Sequence, residues 1–455
     1  MTSAGASRMA SQCQWCRHPV LAASISSSPR GLRRAIHYSH RRDSAWAAAV
    51  QVASNMVGNA VKTATKDHGG MTIDPLRAVA KEMKSLTGDI RKLLGSGHPS
   101  LDRVAKYYTQ AEGKHVRPLI VLLMSRATHL CPRASDSSSF SQHPSMRTID
   151  TSISPAKILS DVNPDAVASS SPFVIQKQQA QEMAEEGHPD ILPSQRRLAE
   201  VTELIHTASL LHDDVIDHSV SRRGSPSANL EFGNKMAVLA GDFLLGRASV
   251  ALARLRNAEV VELLATVIAN LVEGEFMQLK NTERDERSPK WSEDTLRYYL
   301  QKTYLKTASL ISKSCRSAAL LGGSDAVTVE AAYSYGRNLG LAFQLVDDML
   351  DYTRSDADLG KPAGADLELG LATAPLLFAW KQEPELGALV GRKFEREGDV
   401  ERARQLVLQS DGVEQTRALA QEYSEKAMAA IADFPQSEAK DGLMEMAYKT
   451  IQRQK

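Results

Sequence analysis

Apolar residues recur every three or four positions along most of the chain after residue 73. In the first such segment Leu76, Val79 and Leu86 fall on one face of a helix. Asp74 and Pro75 precede them, and an acid followed by proline is typical of a helix start. The pattern therefore predicts an amphipathic helix that begins near residue 74 and buries one apolar face.

The same period predicts a series of further helices, at about residues 100–112, 119–130, 194–212, 237–255, 260–279, 295–321, 327–350, 373–381 and 402–431. No segment shows the strict alternation of apolar and polar residues that a half-buried strand requires. Aromatic residues make up only 5% of the chain, which also disfavours large sheets. The predicted fold class is an all-α bundle of about ten or more helices.

Residues 1–42 do not follow this pattern. They contain seven Arg and eight Ser but no Asp or Glu, a composition typical of a mitochondrial or plastid transit peptide. The alternative is a disordered basic tail. Cys13 and Cys16 lie in this segment, and without a second CxxC we interpret the pair as incidental. Residues 43–72 are predicted to form a linker.

A second irregular tract interrupts the helical pattern at about residues 132–193. Ser accounts for 12 of the 38 residues from 134 to 171, with scattered Pro and Asp. Such a segment buries too little apolar surface to offset the chain entropy lost on folding. We expect a disordered insertion within one helical domain that spans residues 73–455.

The charge balance excludes some classes of protein. The chain has 55 Lys and Arg against 54 Asp and Glu, a formal net charge of +1, which disfavours a nucleic-acid binder. Removal of the seven arginines in residues 1–42 leaves 48 basic against 54 acidic residues. The four cysteines favour a reducing compartment, and no run of about 20 apolar residues predicts a membrane-spanning helix.

Two acidic motifs stand out, each at the end of an apolar helical run. Asp213, Asp214 and Asp217 form one DDxxD, and Asp347, Asp348 and Asp351 form the other. The first and third carboxylates of each motif share a helix face, where like charges repel unless a cation joins them. Oxygen ligands without His or Cys favour Mg²⁺, which also takes substrate phosphates. One such motif alone is more often a solvated acidic turn, but two in apolar helices predict a diphosphate site.

Basic residues lie at intervals around these motifs. Their positions in the sequence are Lys114, Arg117, Arg222, Arg223, Lys306 and Lys361. Each alone is more often a surface cation than a ligand. Together with the acids they predict two anionic groups in one site, one held through metal ions and the other held directly by Arg and Lys.

At these residues the sequence resembles the trans-isoprenyl diphosphate synthases, in particular the long-chain polyprenyl diphosphate synthases of ubiquinone biosynthesis. The resemblance rests on both DDxxD motifs, the Phe343-Gln344 pair before the second motif, the GKxxRP segment at 113–118 and the Lys306-Thr307 pair. It covers about residue 73 to the C-terminus apart from the Ser-rich tract. It implies an isoprenoid synthase fold, a single antiparallel helix bundle around a central cavity, usually dimeric.

The resemblance also implies roles for individual residues. It makes Asp213, Asp217, Asp347 and Asp351 ligands of two to three Mg²⁺ ions, with Asp214 and Asp348 assisting. Contacts to the allylic diphosphate and its developing cation are implied for Arg222, Lys306, Thr307, Gln344 and Lys361. The pocket for isopentenyl diphosphate is implied for Lys114, Arg117, His206 and Arg223. His206 also lies on an apolar stripe, where a core histidine is the alternative.

Two positions depart from the family pattern. The common GGKR element reads Glu112-Gly113-Lys114-His115, which keeps the lysine and loses one cation. The Gly274-Glu275-x-x-Gln278 element is present, but Asn281 stands where short-chain members carry an Asp, which puts a metal-binding role for this position in doubt.

The implied product is long, of roughly six to ten isoprene units. Ala208 and Ser209 lie one helical turn before Asp213, where bulky aromatic residues block chain growth in short-product relatives. The implied substrates are isopentenyl diphosphate and an allylic diphosphate, farnesyl or geranylgeranyl. We expect a homodimer or hetero-oligomer in the mitochondrial matrix or on the matrix side of the inner membrane, where peripheral contact could aid product release.

Two alternatives remain. A non-catalytic or co-catalytic subunit of a hetero-oligomeric synthase would be expected to have lost one acidic motif, whereas both are intact here. A terpene cyclase generally carries Asn and Ser in its second metal motif, and residues 347–351 do not match that pattern.

Overall fold

The computed structural model describes residues 74–94, 96, 98–110, 115–134, 188–222, 225–283, 289–353 and 364–453. The predicted transit peptide and linker, most of the Ser-rich insertion, and the candidate residues Lys114, Arg223 and Lys361 lie outside the described residues. The predictions for these segments therefore remain predictions.

The described residues are mainly helical, which confirms the predicted fold class. A 3₁₀ turn at Arg77–Val79 precedes the first α-helix. The helices are α1 Ala80–Leu93, α2 Pro99–Gln110, α3 Val116–His129, α4 Pro193–Ile216, α5 Ala228–Phe232, α6 Asn234–Arg254, α7 Ala258–Glu283, α8 Glu293–Thr303, α9 Ser309–Leu321, α10 Ala326–Thr353, α11 Ala365–Glu368, α12 Ala374–Trp380, α13 Glu385–Gly391, α14 Asp399–Gln409, α15 Gly412–Ala430 and α16 Glu438–Gln452.

The regular β-structure of the described residues is one short hairpin. Strand β1, Ser221–Arg222, pairs antiparallel with β2, Ser225–Pro226. A single isolated bridge also joins Arg133 to Ser324. Two-residue strands leave no alternating pattern to detect, so the sequence could not have predicted this hairpin. It matters for the site because it carries Arg222, whose guanidinium bonds to Asp214 of the first acidic motif.

The bundle is built around α4 and α10, the two helices that carry the acidic motifs. Helix α4 packs against α3, α6 and α9, and α10 packs against α9 and α15. One large apolar core surrounds α4, and a smaller core surrounds the end of α10 and includes Tyr299, Leu345 and Trp380. Each motif therefore ends a helix whose other faces are fixed by apolar packing.

A single helix predicted over residues 295–321 is interrupted. Helix α8 ends at Thr303, a π-helical turn spans Tyr304–Ala308, and α9 continues from Ser309. Two glycines let neighbouring helices approach this turn closely. A Cβ on Gly274 of α7 would lie 2.6 Å from Lys306 Cγ, and one on Gly340 of α10 would lie 2.6 Å from Ala308 Cα. The turn is thus held between α7 and α10.

Other boundaries also differ from the prediction. Leu76 was expected on the buried face but is 44% exposed, because the α-helix begins only at Ala80. The Asp74 carboxylate accepts a hydrogen bond from the Leu76 amide at 3.0 Å, just before the 3₁₀ turn. The region predicted as one helix over 402–431 is two helices, α14 and α15, that are separated at Ser410 and Asp411.

Among the described helices, α6 is the one that is long and apolar enough to span a membrane by length and composition. It packs against α2, α4 and α5 within the bundle. A core helix of this length has the same composition as a spanning segment.

Candidate active site

The first acidic motif lies where α4 ends. Asp213 is in the last turn, and Asp217 is the residue that follows Ile216. The pKa of Asp213 is raised to about 6, chiefly by burial, with Glu275 and Asp217 also raising it and Lys306 and Arg222 opposing the shift. The pKa of Asp217 is also raised, again chiefly by burial. Two carboxylates with raised pKa values at one helix end make a place where a cation would be stabilised.

Asp214, the middle residue of this motif, faces away from solvent and is completely buried. Its Oδ1 accepts hydrogen bonds from Arg222 Nε at 2.8 Å and Arg222 Nη2 at 2.5 Å. Its Oδ2 accepts a hydrogen bond from the Tyr108 hydroxyl of α2. The structure therefore places Asp214 in an ion pair inside the protein and holds Arg222 beside the motif.

The second motif lies near the end of α10, and its three carboxylates have different surroundings. The side chain of Asp347 is 46% exposed and pairs with Arg453 of the chain end, Oδ1 to Nη1 at 3.3 Å. Asp351 is buried, and its Oδ2 accepts a hydrogen bond from the Asp366 amide at 3.2 Å. The partially exposed Asp347 is the more accessible of the two to a metal ion in solution.

Asp348 is the buried middle residue of the second motif. Its Oδ2 accepts a hydrogen bond from the Tyr299 hydroxyl at 2.5 Å, and its Oδ1 accepts one from Gln344 Nε2 at 2.8 Å. The pKa of Asp348 is raised to about 6, chiefly by burial, and these hydrogen bonds and Lys302 oppose the shift. Burial also raises the pKa of Tyr299, so its hydroxyl remains a donor at neutral pH.

The π turn joins the two motifs. Lys306 Nζ lies 2.5 Å from Glu275 Oε2 and donates a hydrogen bond to Gln278 Oε1 at 3.1 Å, both on α7. Its charge lowers the pKa values of Asp213 and Asp217. π-helical turns occur frequently at functional sites, because they reorient side chains within a helix. Here the turn carries Lys306, whose charge acts on the first motif.

The next residue of the turn, Thr307, contacts the second motif. Its hydroxyl donates a hydrogen bond to Gln344 Oε1 at 2.8 Å, and the Gln344 amide donates to Asp348. Thr307, Gln344 and Asp348 thus form a continuous chain of hydrogen bonds. Of the residues implied for the allylic site, Arg222, Lys306, Thr307 and Gln344 are brought to the two motifs.

The segment implied for isopentenyl diphosphate lies at the start of α3, where His115 adopts a left-handed backbone with φ of 39°. Arg117 Nη1 lies 2.9 Å from His206 Nε2, and His115 Nδ1 lies 3.1 Å from Glu203 Oε1. Because guanidinium can only donate, His206 Nε2 is the acceptor in this contact. His206 is half-buried and lies within hydrogen-bonding distance of Arg117, so its role as a diphosphate ligand stays a prediction beside the alternative of a hydrogen-bonded core histidine.

The two candidate chain-length residues are in different surroundings. Ala208 is completely buried in the large core. Ser209 is half-buried and donates a hydrogen bond to the His206 carbonyl at 2.9 Å. Residues four apart share a helix face, so Ser209 lies on the face of Asp213 and Ala208 does not. Ser209 is thus the better placed to meet an apolar tail that extends from the diphosphate site.

Sequence reasoning did not single out several residues of the site. They are Tyr108, Tyr299, Lys302, Asp366 and Arg453. Two of them carried a usable signal, since Tyr299 and Lys302 precede Lys306 by seven and four positions and so share its helix face in an uninterrupted helix. Burial lowers the pKa of Lys302, whose Nζ lies 5.6 Å from the Tyr299 ring centroid. Tyr108 and Arg453 come from distant parts of the chain, so spacing could not reveal them.

The donor set fits Mg²⁺ that is shared with a substrate. In the described part of the chain, no group of three or more His, Cys, Asp or Glu side chains is placed to hold a metal ion by itself. Mg²⁺ usually takes one or two protein carboxylates and completes its shell with phosphate oxygens and water. Two pairs of carboxylates on separate helix ends match that demand better than a closed protein cage would.

The chain is similar to known polyprenyl synthases over the segment that carries this site. The polyprenyl synthetase family matches residues 174–407, which include both acidic motifs and the π turn. The chain is 76% identical over 421 residues to the probable mitochondrial hexaprenyl pyrophosphate synthase of Neurospora crassa, covering 92% of this chain and 90% of the relative. It is 48% identical over 377 residues to decaprenyl-diphosphate synthase subunit 1 of Schizosaccharomyces pombe, covering 83% and 90%.

Among solved structures, the chain is similar to a Caulobacter crescentus polyprenyl synthase that was crystallised with calcium and isoprenyl diphosphate. The TM-score is 0.64 at 30% identity, over 84% of this chain and 97% of that one.

Proposed function

We propose that this chain, which belongs to the polyprenyl synthetase family and is a mitochondrial prenyltransferase, condenses isopentenyl diphosphate repeatedly onto an allylic diphosphate. The product would be the long-chain precursor of the ubiquinone side chain. The observation that carries this proposal is one π turn that acts on both acidic motifs. Its Lys306 charge lowers the pKa values of Asp213 and Asp217. Its Thr307 is hydrogen-bonded through Gln344 to Asp348.

The family is generally Mg²⁺-dependent, and Asp213, Asp217, Asp347 and Asp351 would hold two to three of these ions for the substrate diphosphate. When bound, these ions stabilise negative charge on the leaving diphosphate. Arg222 and Lys306 supply permanent positive charge on the same side, so the allylic C–O bond ionises more easily. Lys361 is expected to contribute to this site as well.

Thr307 and Gln344 are then placed to act on the carbon end of the substrate. Their side-chain oxygens belong to one hydrogen-bonded chain and present partial negative charge beside the second motif. Such dipoles stabilise an allylic cation without trapping it covalently. The double bond of isopentenyl diphosphate adds to this cation, and the adduct loses a proton to the released diphosphate, which gives the elongated allylic diphosphate.

Isopentenyl diphosphate is expected to bind at the start of α3, with Lys114, Arg117, His206 and Arg223 around its diphosphate. Arg117 is already oriented there by His206. Guanidinium binds phosphate oxygens in a bidentate manner, which favours Arg117 as the principal contact. The second substrate would then enter from the α3 side while the first stays on the motifs.

The assembly is expected to contain a second polyprenyl synthase chain. Helices α6 and α7 expose large apolar side chains to solvent, namely Val238, Leu239, Val272, Phe276 and Leu279. These two helices pack against each other, and large apolar side chains exposed on neighbouring helices are typical of interaction sites. A homodimer would double the mass in sedimentation, and Phe276→Glu would shift it towards the monomer. The long apolar product is expected to leave through peripheral contact with the inner membrane.

Incubation of the purified chain with farnesyl diphosphate, labelled isopentenyl diphosphate and Mg²⁺ tests the proposed function. Phosphatase treatment should release linear prenyl alcohols of six to ten isoprene units, and a parallel reaction with geranylgeranyl diphosphate compares the primers. Incorporation only after addition of a second synthase subunit would instead support the co-catalytic alternative, which the Schizosaccharomyces pombe subunit 1 relative motivates.

A further inference from the structure

The middle aspartates of the two motifs share one arrangement. Asp214 and Asp348 are 0% and 3% exposed, and each accepts a hydrogen bond from a tyrosine hydroxyl on another helix. The donor at the first motif is Tyr108 on α2, and the donor at the second motif is Tyr299 on α8. The two motifs lie on helices distant in sequence, so the repetition is not a consequence of local chain geometry.

Each tyrosine is itself fixed. Tyr108 and Tyr299 are 3% and 2% exposed. The Tyr108 hydroxyl also accepts a hydrogen bond from the Ala228 amide at 2.8 Å, which leaves its own hydrogen to donate to Asp214. The Tyr299 ring lies in the smaller apolar core. Neither hydroxyl can turn away without leaving a buried aspartate short of a donor.

The need for such an anchor follows from where the motifs lie. Helix α4 ends at Ile216, directly before Asp217, and α10 ends at Thr353, two residues after Asp351. Carboxylates near a helix C-terminus oppose the helix dipole and repel one another, so these last turns are expected to be weak. A buried bond at the middle residue fixes the rotation of the turn that carries the outer two carboxylates.

We propose that Tyr108 and Tyr299 are positioning residues, which anchor the middle aspartate of each acidic motif and so hold the outer carboxylates towards the Mg²⁺-bound diphosphate. This inference rests on the proposed function for the identity of the ligand. It gives Asp214 and Asp348 an anchoring role in place of the assisting metal contact that the family resemblance implied. The outer carboxylates remain the ones that face the substrate.

The test compares Tyr108→Phe and Tyr299→Phe with Tyr335→Phe in the full chain. Tyr335 is a matched control, because it is completely buried and its hydroxyl donates to the Leu443 carbonyl at 2.8 Å, with no acidic motif involved. Calorimetric titration measures binding of inorganic pyrophosphate in the presence of Mg²⁺. Removal of a group that orients metal ligands typically weakens metal affinity or activity about 10- to 100-fold, which we expect for both variants and not for Tyr335→Phe.

Double variants separate positioning from loss of general stability. If Tyr299 acts through Asp348, Tyr299→Phe should weaken binding no further in an Asp348→Asn background, whereas Tyr335→Phe should have the same small effect in both backgrounds. The Tyr108 and Asp214→Asn pair repeats this test if a Tyr299 variant does not fold, as a thermal melt would reveal. Wild-type binding by both tyrosine variants, or full additivity with the aspartate variants, would overturn the proposal.

Turnover assays keep this inference apart from the proposed function. For farnesyl diphosphate, the tyrosine variants should lower kcat more than Tyr335→Phe does. A chain that makes polyprenyl product but is indifferent to both tyrosines contradicts only the positioning role. A chain whose pyrophosphate binding depends on the tyrosines but that makes no polyprenyl product contradicts only the function.

Discussion

The two acidic motifs have the same sequence pattern but different electrostatic surroundings. In the first, the middle carboxylate pairs with the permanent charge of Arg222 inside the protein. In the second, the neutral side chains of Tyr299 and Gln344 donate hydrogen bonds to the middle carboxylate. The cation Arg453 instead pairs with the partly exposed outer carboxylate of Asp347. The motif therefore fixes which carboxylates are expected to bind metal, while the neighbouring helices decide how each motif is held.

The largest effects are expected where the motifs are alike. Asp213→Asn and Asp347→Asn each remove one charge from the expected metal sites, and loss of a few kcal/mol of transition-state stabilisation lowers kcat by about a hundredfold or more. Turnover of labelled isopentenyl diphosphate at saturating Mg²⁺ measures this. A variant of either motif with kcat within threefold of wild type would show that the two motifs do not share the metal-binding role.

Loss of the ion pair at the first motif should lower the free energy of unfolding more than loss of the ion pair at the second. Arg222→Gln leaves Asp214 buried without its cation, and breaking a buried pair in this way costs about 3–5 kcal/mol. Arg453→Gln removes a partner from Asp347, whose side chain is 46% exposed, so the cost should be about 0–1 kcal/mol. Urea unfolding of both variants tests the contrast, and equal losses of unfolding free energy would contradict it.

The π turn between the motifs is expected to be sensitive to a single methyl group. Gly340→Ala places a Cβ 2.6 Å from the backbone of Ala308, so the turn must shift and stability should fall by about 1–3 kcal/mol. Gly88→Ala is the control, since it meets nothing within 4 Å in the middle of α1 and should instead stabilise by about 0.5–1 kcal/mol. Urea unfolding measures both. A Gly340→Ala variant of wild-type stability would show that the turn can move freely.

The residues that precede the two motifs are expected to differ in their effect on product length rather than on turnover. Ser209 and Phe343 each lie four residues before the first aspartate of a motif. Ser209→Phe should shorten the products, because the ring would occupy space beneath the first motif. Phe343→Ala should leave product length unchanged, because the Arg453 guanidinium covers that ring at 4.5 Å. Chromatography of the dephosphorylated products measures their chain length. Products of unchanged length from Ser209→Phe would show that the growing chain does not pass Ser209.

Ala208 provides the contrast within the same helix turn. Ala208→Phe would overpack a completely buried position in the large core, at a cost of about 1–3 kcal/mol. A shorter product from a stably folded Ala208→Phe variant would show that the tail passes this face of α4 as well.

The sequence by itself determined the helical class and the chemistry of the site. Helical periodicity depends on local spacing, and so do the two DDxxD motifs, whose outer carboxylates share a face wherever the helix lies. The Lys306-Thr307 pair and Arg222 were also found in the sequence. Their roles came from resemblance, and the structure then brought them to the motifs.

Only the tertiary structure decided what surrounds those residues. The π turn interrupts a sequence whose period predicts one continuous helix, and it is held by close packing against Gly274 and Gly340 from distant helices. Tyr108 and Tyr299 meet their aspartates across 106 and 49 residues of chain. Contacts of this range depend on which helices pack together, and local spacing carries no information about that choice.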